Sequence, residues 1–235
     1  MAMVGVVLAG CLLAAPAGAQ SAKPPAARGQ GKAPAAAVVS AQVQGLRGDP
    51  VRGLKKSDDE RCQECHGADG NGLGHSEGSE GRLPKLAGQP VEYLLKQLDN
   101  FRSGARKHDV MSMMARTVTP ADLADIAAYF ASQPPMKGDG SGDNPVGRGL
   151  YERGDAGRGI AACITCHGPG GKGLAGAGAE SPRLGGQEWR YLEKQLLDWR
   201  SGDRSNSRDG VMNSQIRPLS DEEIRALSSY LSGLP

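Results

Sequence analysis

The sequence predicts an all-α protein made of two tandem modules, each a small bundle of helices. Two observations carry this expectation. From residue 48 onward the chain repeats itself at an offset of 98 to 101 residues. Within both copies, apolar residues recur at helical spacing, and no strand-like alternation of useful length is present. Composition sets the outer limits. A length of 235 residues suits one or two domains. The 35 Gly and 15 Pro stay below the Gly-plus-Pro level of roughly 25–30% that marks low-complexity disorder. No apolar run reaches the roughly 18–20 residues of a membrane-spanning helix. Two Trp, five Tyr and two Phe are few for two ordinary cores, so something besides side chains is expected to fill the interior.

At the N-terminus, Val4 to Ala15 form a short apolar run followed by Ala17-Gly18-Ala19, an A-x-A pattern suited to cleavage before Gln20. Residues 1–19 are read as a signal peptide. A second reading takes Leu8-Ala9-Gly10-Cys11 as a lipoprotein cleavage site, although residues 12–19 stay apolar where a mature lipoprotein should begin polar. Both readings export the rest of the chain to the periplasm. Residues 20–47, rich in Ala, Pro, Gly and Gln with four basic groups and no acid, read as a flexible basic tail. Such a tail suits peripheral association with an anionic membrane or a partner.

The repeat then divides the chain into a first module at 48–137, a linker at 138–144 within a Pro/Gly/Asp-rich stretch, and a second module at 145–235. Val91, Leu94, Leu95, Leu98 and Phe101 share one helical face that stops at Gly104. The last helix of each module opens on a cap: Thr119-Pro120 in the first, and the S-x-x-E box Ser220 to Glu223 in the second.

The cysteines carry the chemistry. Apart from Cys11, all fall in two C-x-x-C-H motifs, Cys62/Cys65/His66 and Cys163/Cys166/His167, the attachment signature of c-type haem. Two thiols one helical turn apart can each add to a haem vinyl group, and the adjoining His projects toward the iron. A structural zinc site is disfavoured because the pairs lie about 100 residues apart in separate repeats. A Cys-x-x-Cys redox disulfide lacks its βαβ setting. Two covalent haem c groups are therefore the expected cofactors, with His66 and His167 as proximal ligands.

For the opposite axial position of an electron carrier, a Met thioether suits the iron, because its neutral sulfur favours Fe(II). Met212 lies eight residues before Ser220 and Met111 eight before Thr119, so Met111 and Met212 are assigned, with Met113 and Met114 packing nearby. A carbonyl at Pro84 or Pro182 can accept from the free Nδ1–H of the proximal His and fix its ring. Leu86 and Leu184 are candidate haem-face contacts, and Arg102 and Arg200 candidate partners of the haem propionates. His75 and His108 have no counterparts in the other half and read as surface residues.

These two modules, each C-x-x-C-H-G … P-[KR]-L-x-G-Q … Y-L-x-K-Q-L … [FW]-R-S-G … M over roughly residues 60–235, resemble two class I cytochrome c domains in tandem, as in the dihaem cytochrome c4 family. The resemblance implies a small helical bundle around each covalently bound haem and two domains packed on each other. It also implies a periplasmic carrier that takes electrons from a quinol-oxidising complex toward a terminal oxidase. The spacing differs between halves: Pro50 to Cys62 is 12 steps, Pro145 to Cys163 is 18.

Charge agrees with brief docking. The first module carries twelve basic and thirteen acidic groups and the second twelve and eleven, which offers no dense basic face for nucleic acid. A dihaem enzyme would need an open iron or a His or Cys distal ligand, whereas each half offers a matched Met. Service as the cytochrome subunit of a dehydrogenase is the alternative to a free carrier.

Overall fold

The computed structural model describes residues 1, 2, 5, 40, 42–72, 83–176 and 181–235, and all that follows lies within the unit Pro34–Pro235. Apart from residues 1, 2 and 5, the expected signal peptide lies outside the described residues, as do most of the tail and His75. The first module contains α1 (Pro50–Asp59), α2 (Gln63–His66), α3 (Val91–Ser103), α4 (Asp109–Thr117) and α5 (Pro120–Ser132). The second contains α6 (Pro145–Arg153), α7 (Ile164–His167), α8 (Trp189–Ser201), α9 (Val211–Ile216) and α10 (Asp221–Ser232). No strand occurs among the described residues, only an isolated bridge between Asp155 and Ile160. The all-α, two-module expectation holds.

The helix boundaries follow from local chemistry. Thr119 accepts from the Asp122 N–H at 3.2 Å with Pro120 in the first turn. Ser220 and Glu223 close the full capping box at 3.2 and 2.9 Å. The long helices α3 and α8 end at Gly104 (φ 83°) and Gly202 (φ 92°), a left-handed conformation that glycine adopts without Cβ strain. Most of the predicted apolar face of α3 is found in the first core, where Leu94 and Leu95 are buried and Val91 and Leu98 pack against the cluster; Phe101 is buried as well.

Each module is closed by its first helix crossing its last, α1 on α5 and α6 on α10. Glycine makes both crossings close enough. A Cβ on Gly53 would lie 2.0 Å from the Asp125 carbonyl oxygen, and one on Gly147 would lie 2.2 Å from that of Ala226. Asp125 then clasps the start of α1, accepting from the Asp49 N–H at 2.6 Å and from Arg52 Nε and Nη2 at 2.7 and 2.9 Å. The longer entry of the second module is taken up by a short 3-10 turn, Ala156–Arg158, and the Asp155–Ile160 bridge. Both modules therefore build the same crossing despite their different spacing.

The end of the predicted flexible tail departs from expectation. Ser40 donates to the Asp99 carboxylate through its N–H and its hydroxyl, both at 2.7 Å, and Val43 is buried in the first core. The apolar residues of 20–47 are mostly Ala and mark no docked segment, yet Val43 and the bonds of Ser40 to the buried Asp99 carboxylate fasten this end of the tail to the module. The linker is also anchored. Met136 is buried, and Gly138 and Gly140 donate to the carbonyls of Leu234 and Gly233 at 2.7 and 3.0 Å.

Candidate haem centres

The two C-x-x-C-H motifs form the one-turn helices α2 and α7. All four thiols are free; Cys62 and Cys163 are half-buried, whereas Cys65 and Cys166 are exposed. Burial pushes the Cys62 and Cys163 thiols up to about 11, so both are protonated at neutral pH. A redox Cys-x-x-Cys pair requires the opposite shift. The glycine after each His is structural. Gly67 and Gly168 have φ of 77° and 73°, and a Cβ on either would meet the carbonyl oxygen of Gly72 at 2.6 Å or Gly173 at 2.2 Å. That close turn lets Gly72 and Gly173 donate back to the carbonyls of His66 and His167, both at 2.8 Å.

His66 and His167 are buried. Their Nδ1 atoms lie 2.9 Å from the Pro84 carbonyl and 3.2 Å from the Pro182 carbonyl. A carbonyl only accepts, so Nδ1 carries the proton and the Nε2 lone pair is left for a metal. Burial pushes both imidazoles below their usual range, opposed by these carbonyls, and so favours the neutral form a ligand needs. The segments are held in place by matched bonds: the Leu86 N–H donates to Gly70 and the Leu184 N–H to Gly171, both at 2.7 Å. The Leu86 and Leu184 side chains pack against the two cores.

The candidate distal residues lie on α4 and α9. Met111 and Met212 are half-buried near their helix starts, and Met212 packs against the second core. Each backbone N–H is capped, that of Met111 by His108 Nδ1 at 3.3 Å and that of Met212 by Ser207 Oγ at 3.2 Å. The role of His108 as the cap of the Met111 helix was not readable from sequence, because its counterpart is a serine at a different offset. Met113 is 58% exposed, which sets it apart from its neighbours.

The arginines divide into two pairs. Arg102 donates to the Val118 carbonyl at 2.5 Å, and Arg200 to the Leu219 carbonyl at 2.9 Å and to Asp221. Both guanidiniums thus tie the long helix to the residues before the last helix. A second repeat-matched pair, Arg106 and Arg204, is buried, stacked over Phe101 at 4.6 Å and Trp199 at 4.4 Å. Among the described residues neither has an ion-pair partner. They share the acceptors Gln97 and Gln195, one from each module, and also donate to Tyr191, Tyr93 and Asn206. A buried cation without a carboxylate calls for an anion, which a haem propionate would supply. The signal for this pair was present in the repeat, as Gly104-x-Arg106 against Gly202-x-Arg204, but sequence could not tell which pair is buried.

The modules meet through this network and through crossed glutamines. Asn206 bridges Gln97 and Asn100 at 3.0 and 2.8 Å. Gln187 bonds the backbone of Lys85, and Gln89 that of Arg183. The residues present therefore fit a covalently attached porphyrin in each half. Each half has two free thiols one turn apart and a neutral imidazole with its outer nitrogen fixed. Unpaired buried guanidiniums lie between the halves.

Comparison with known proteins agrees. The cytochrome c family model matches twice, at residues 50–134 and 151–235. The chain is 43% identical over 190 residues to cytochrome c4 of Pseudomonas aeruginosa, covering 80% of this chain and 89% of that protein. It is 34% identical over 206 residues to the thiosulfate dehydrogenase electron acceptor of Stutzerimonas stutzeri, covering 85% and 92%. The crystal structure of reduced recombinant cytochrome c4 from Pseudomonas stutzeri superposes with a TM-score of 0.71 at 38% identity, covering 80% of this chain and all of that one. With two covalently bound haem c groups and the electron-carrier character of its relatives, the chain belongs to the cytochrome c4 family.

Proposed function

We propose that this protein shuttles single electrons in the periplasm, taking them from a quinol-oxidising complex and passing them toward a terminal oxidase. The observation that carries this reading is the pairing of two like modules through one buried interface, each with a buried His whose Nδ1 is fixed by a proline carbonyl; the repeat match of Met111 with Met212 supports it. When bound, haem supplies the one-electron chemistry at each site. The chain's own residues attach, orient and shield it. Cys62, Cys65, Cys163 and Cys166 would hold the ring, and His66 and His167, their Nδ1 protons anchored on Pro84 and Pro182, would hold the iron. Met111 and Met212 would offer the iron a thioether, whose neutral sulfur would raise the potential. Leu86 and Leu184 would line the ring, and Arg106 and Arg204 would neutralise the propionates. Residues 1–19 act as the export signal, and the basic tail favours peripheral membrane association.

A second reading is supported by the relative that serves as a thiosulfate dehydrogenase electron acceptor: the electrons enter from a dehydrogenase instead of from quinol. Stopped-flow reduction of the oxidised holo-protein separates the two. The leading reading expects fast reduction by a quinol-oxidising complex with quinol and slow reduction by thiosulfate dehydrogenase with thiosulfate. The reverse order would establish the second reading. Slow reduction by both would overturn the first.

A further inference from the structure

Each P-[KR]-L-x-G-Q segment ends on a glutamine that leaves its own module. Gln187 Oε1 accepts from the Lys85 N–H at 2.8 Å, and Gln187 Nε2 donates to the Lys85 carbonyl at 2.9 Å. In mirror fashion, Gln89 Oε1 accepts from the Arg183 N–H at 2.9 Å, and Gln89 Nε2 donates to the Arg183 carbonyl at 2.8 Å. A backbone N–H only donates and a backbone carbonyl only accepts, so these four bonds fix which way round both amides lie. Both glutamines are buried, and Met136, just ahead of the linker, lies between them, its sulfur 4.0 Å from Gln89 Nε2 and 3.5 Å from Gln187 Nε2. The preceding glycines allow this approach. A Cβ on Gly88 would lie 2.6 Å from Pro135 Cα, and one on Gly186 would lie 2.5 Å from the Lys137 carbonyl carbon.

The Lys85 N–H and the Pro84 carbonyl belong to one peptide group, and that carbonyl accepts from His66 Nδ1. The Arg183 N–H and the Pro182 carbonyl likewise share a peptide group, whose oxygen accepts from His167 Nδ1. Two hydrogen bonds through a single peptide unit therefore connect Gln187 to His66, and two more connect Gln89 to His167. A peptide whose N–H is given to a good acceptor carries more negative charge on its oxygen. A histidine that donates more strongly from Nδ1 is a more basic ligand at Nε2.

We propose that Gln89 and Gln187 are crossed positioning residues, each tuning through one peptide group the proximal histidine of the opposite module, so that the potential of each haem depends on a side chain from the other half. This rests on the electron-transfer reading above. It makes the interface part of each redox site: separating the modules would weaken both histidine anchors at once. Removing Gln187 leaves the Pro84 carbonyl a weaker acceptor and the His66 ring less electron-donating, which favours Fe(II) in the first module.

The test uses the holo-protein as wild type, Q187L and Q89L. Potentials are measured by voltammetry, and the two haems are told apart by NMR cross-peaks to side chains of their own module. Q187L is expected to shift the Fe(III)/Fe(II) equilibrium of the haem on His66 two- to tenfold toward Fe(II), about 18 to 59 mV at 59 mV per tenfold for one electron. The haem on His167 is expected to move less than twofold. Q89L should give the mirror result. A shift confined to the variant's own module, an equal shift in both, or no shift would overturn the proposal. If neither variant folds, amide hydrogen exchange on the wild type decides: the Lys85 and Arg183 N–H groups should be protected, and exchange at the rate of exposed loops would overturn it. A haem count precedes every measurement. A chain without haem ends the electron-transfer reading and this inference together, whereas two haems with unmoved potentials end the inference alone.

Discussion

Arg106 and Arg204 grip the same two amide oxygens from opposite modules. Gln97 Oε1 accepts from Arg106 at 2.9 Å and from Arg204 at 3.1 Å, and Gln195 Oε1 accepts from them at 2.6 and 2.7 Å. The arrangement is nearly two-fold, with Arg106 also donating to Tyr191 at 3.1 Å and Arg204 to Tyr93 at 3.4 Å. Two buried like charges that share their acceptors repel unless an anion joins them, and a haem propionate would be such an anion. R204M in the holo-protein should lower stability by about 2–4 kcal/mol, because it leaves buried acceptors and a propionate unpaired. R204K should restore little, since an ammonium cannot reproduce the planar fork. Urea unfolding measures both. A loss below about 0.5 kcal/mol for R204M, the size of an ordinary surface change, would show that the network does not hold the halves together.

The methionines differ in exposure, and potentials should follow. M212H is expected to lower one haem potential, and M111H the other, by more than about 59 mV, a tenfold change in the redox equilibrium. M113L, at a side chain 58% exposed, should move neither. Voltammetry on the three variants checks this. A large shift with M113L, or none with M111H, would reassign the first module's distal ligand.

The helix crossings should be intolerant of any side chain. G53V and G147V place atoms where Cβ alone would be 2.0 and 2.2 Å from a facing carbonyl oxygen. Each should cost about 1–3 kcal/mol or more through forced separation of the helices. A chevron or thermal melt on each variant reads the loss. Gly104→Ala is the control for glycine conformation alone, since a Cβ there meets open space although φ is 83°.

Acid should loosen the first module at its clasp. Arg52 hydrogen-bonded to Asp125 holds that carboxyl below its usual range, against a smaller opposing effect of burial. A depressed folded value means the stabilisation is complete above the unfolded value of about 3.9 and is lost as pH falls through the lower, folded value. D125N should therefore reduce stability near neutral pH and flatten the acid limb of the stability curve below about pH 4. An acid limb identical to that of wild type would remove Asp125 from the account.

Much of this architecture was legible in the sequence because its determinants are local or repeated. The C-x-x-C-H spacing fits one helical turn, the Ser220–Glu223 box is a four-residue signal, and the Pro84 and Pro182 carbonyls follow from their place after each motif. The rest depends on which surfaces meet. The repeat shows that Gln89 matches Gln187 and that Arg106 matches Arg204, but it cannot show that each pair crosses between modules. Arg102 and Arg200 looked equally suited to propionates in the sequence, which could not show that the Val118 and Leu219 carbonyls ahead of the last helices take their donors. Val43 was hidden in a tail whose apolar residues are mostly alanine, with few large side chains to mark a buried face.

The most direct test of the account is a reductive titration of the purified, haem-loaded chain. Two electrons per chain are expected, one for each module, falling to one when Cys163 and Cys166 are both replaced by serine. Uptake of one electron or none by the wild-type chain would contradict it.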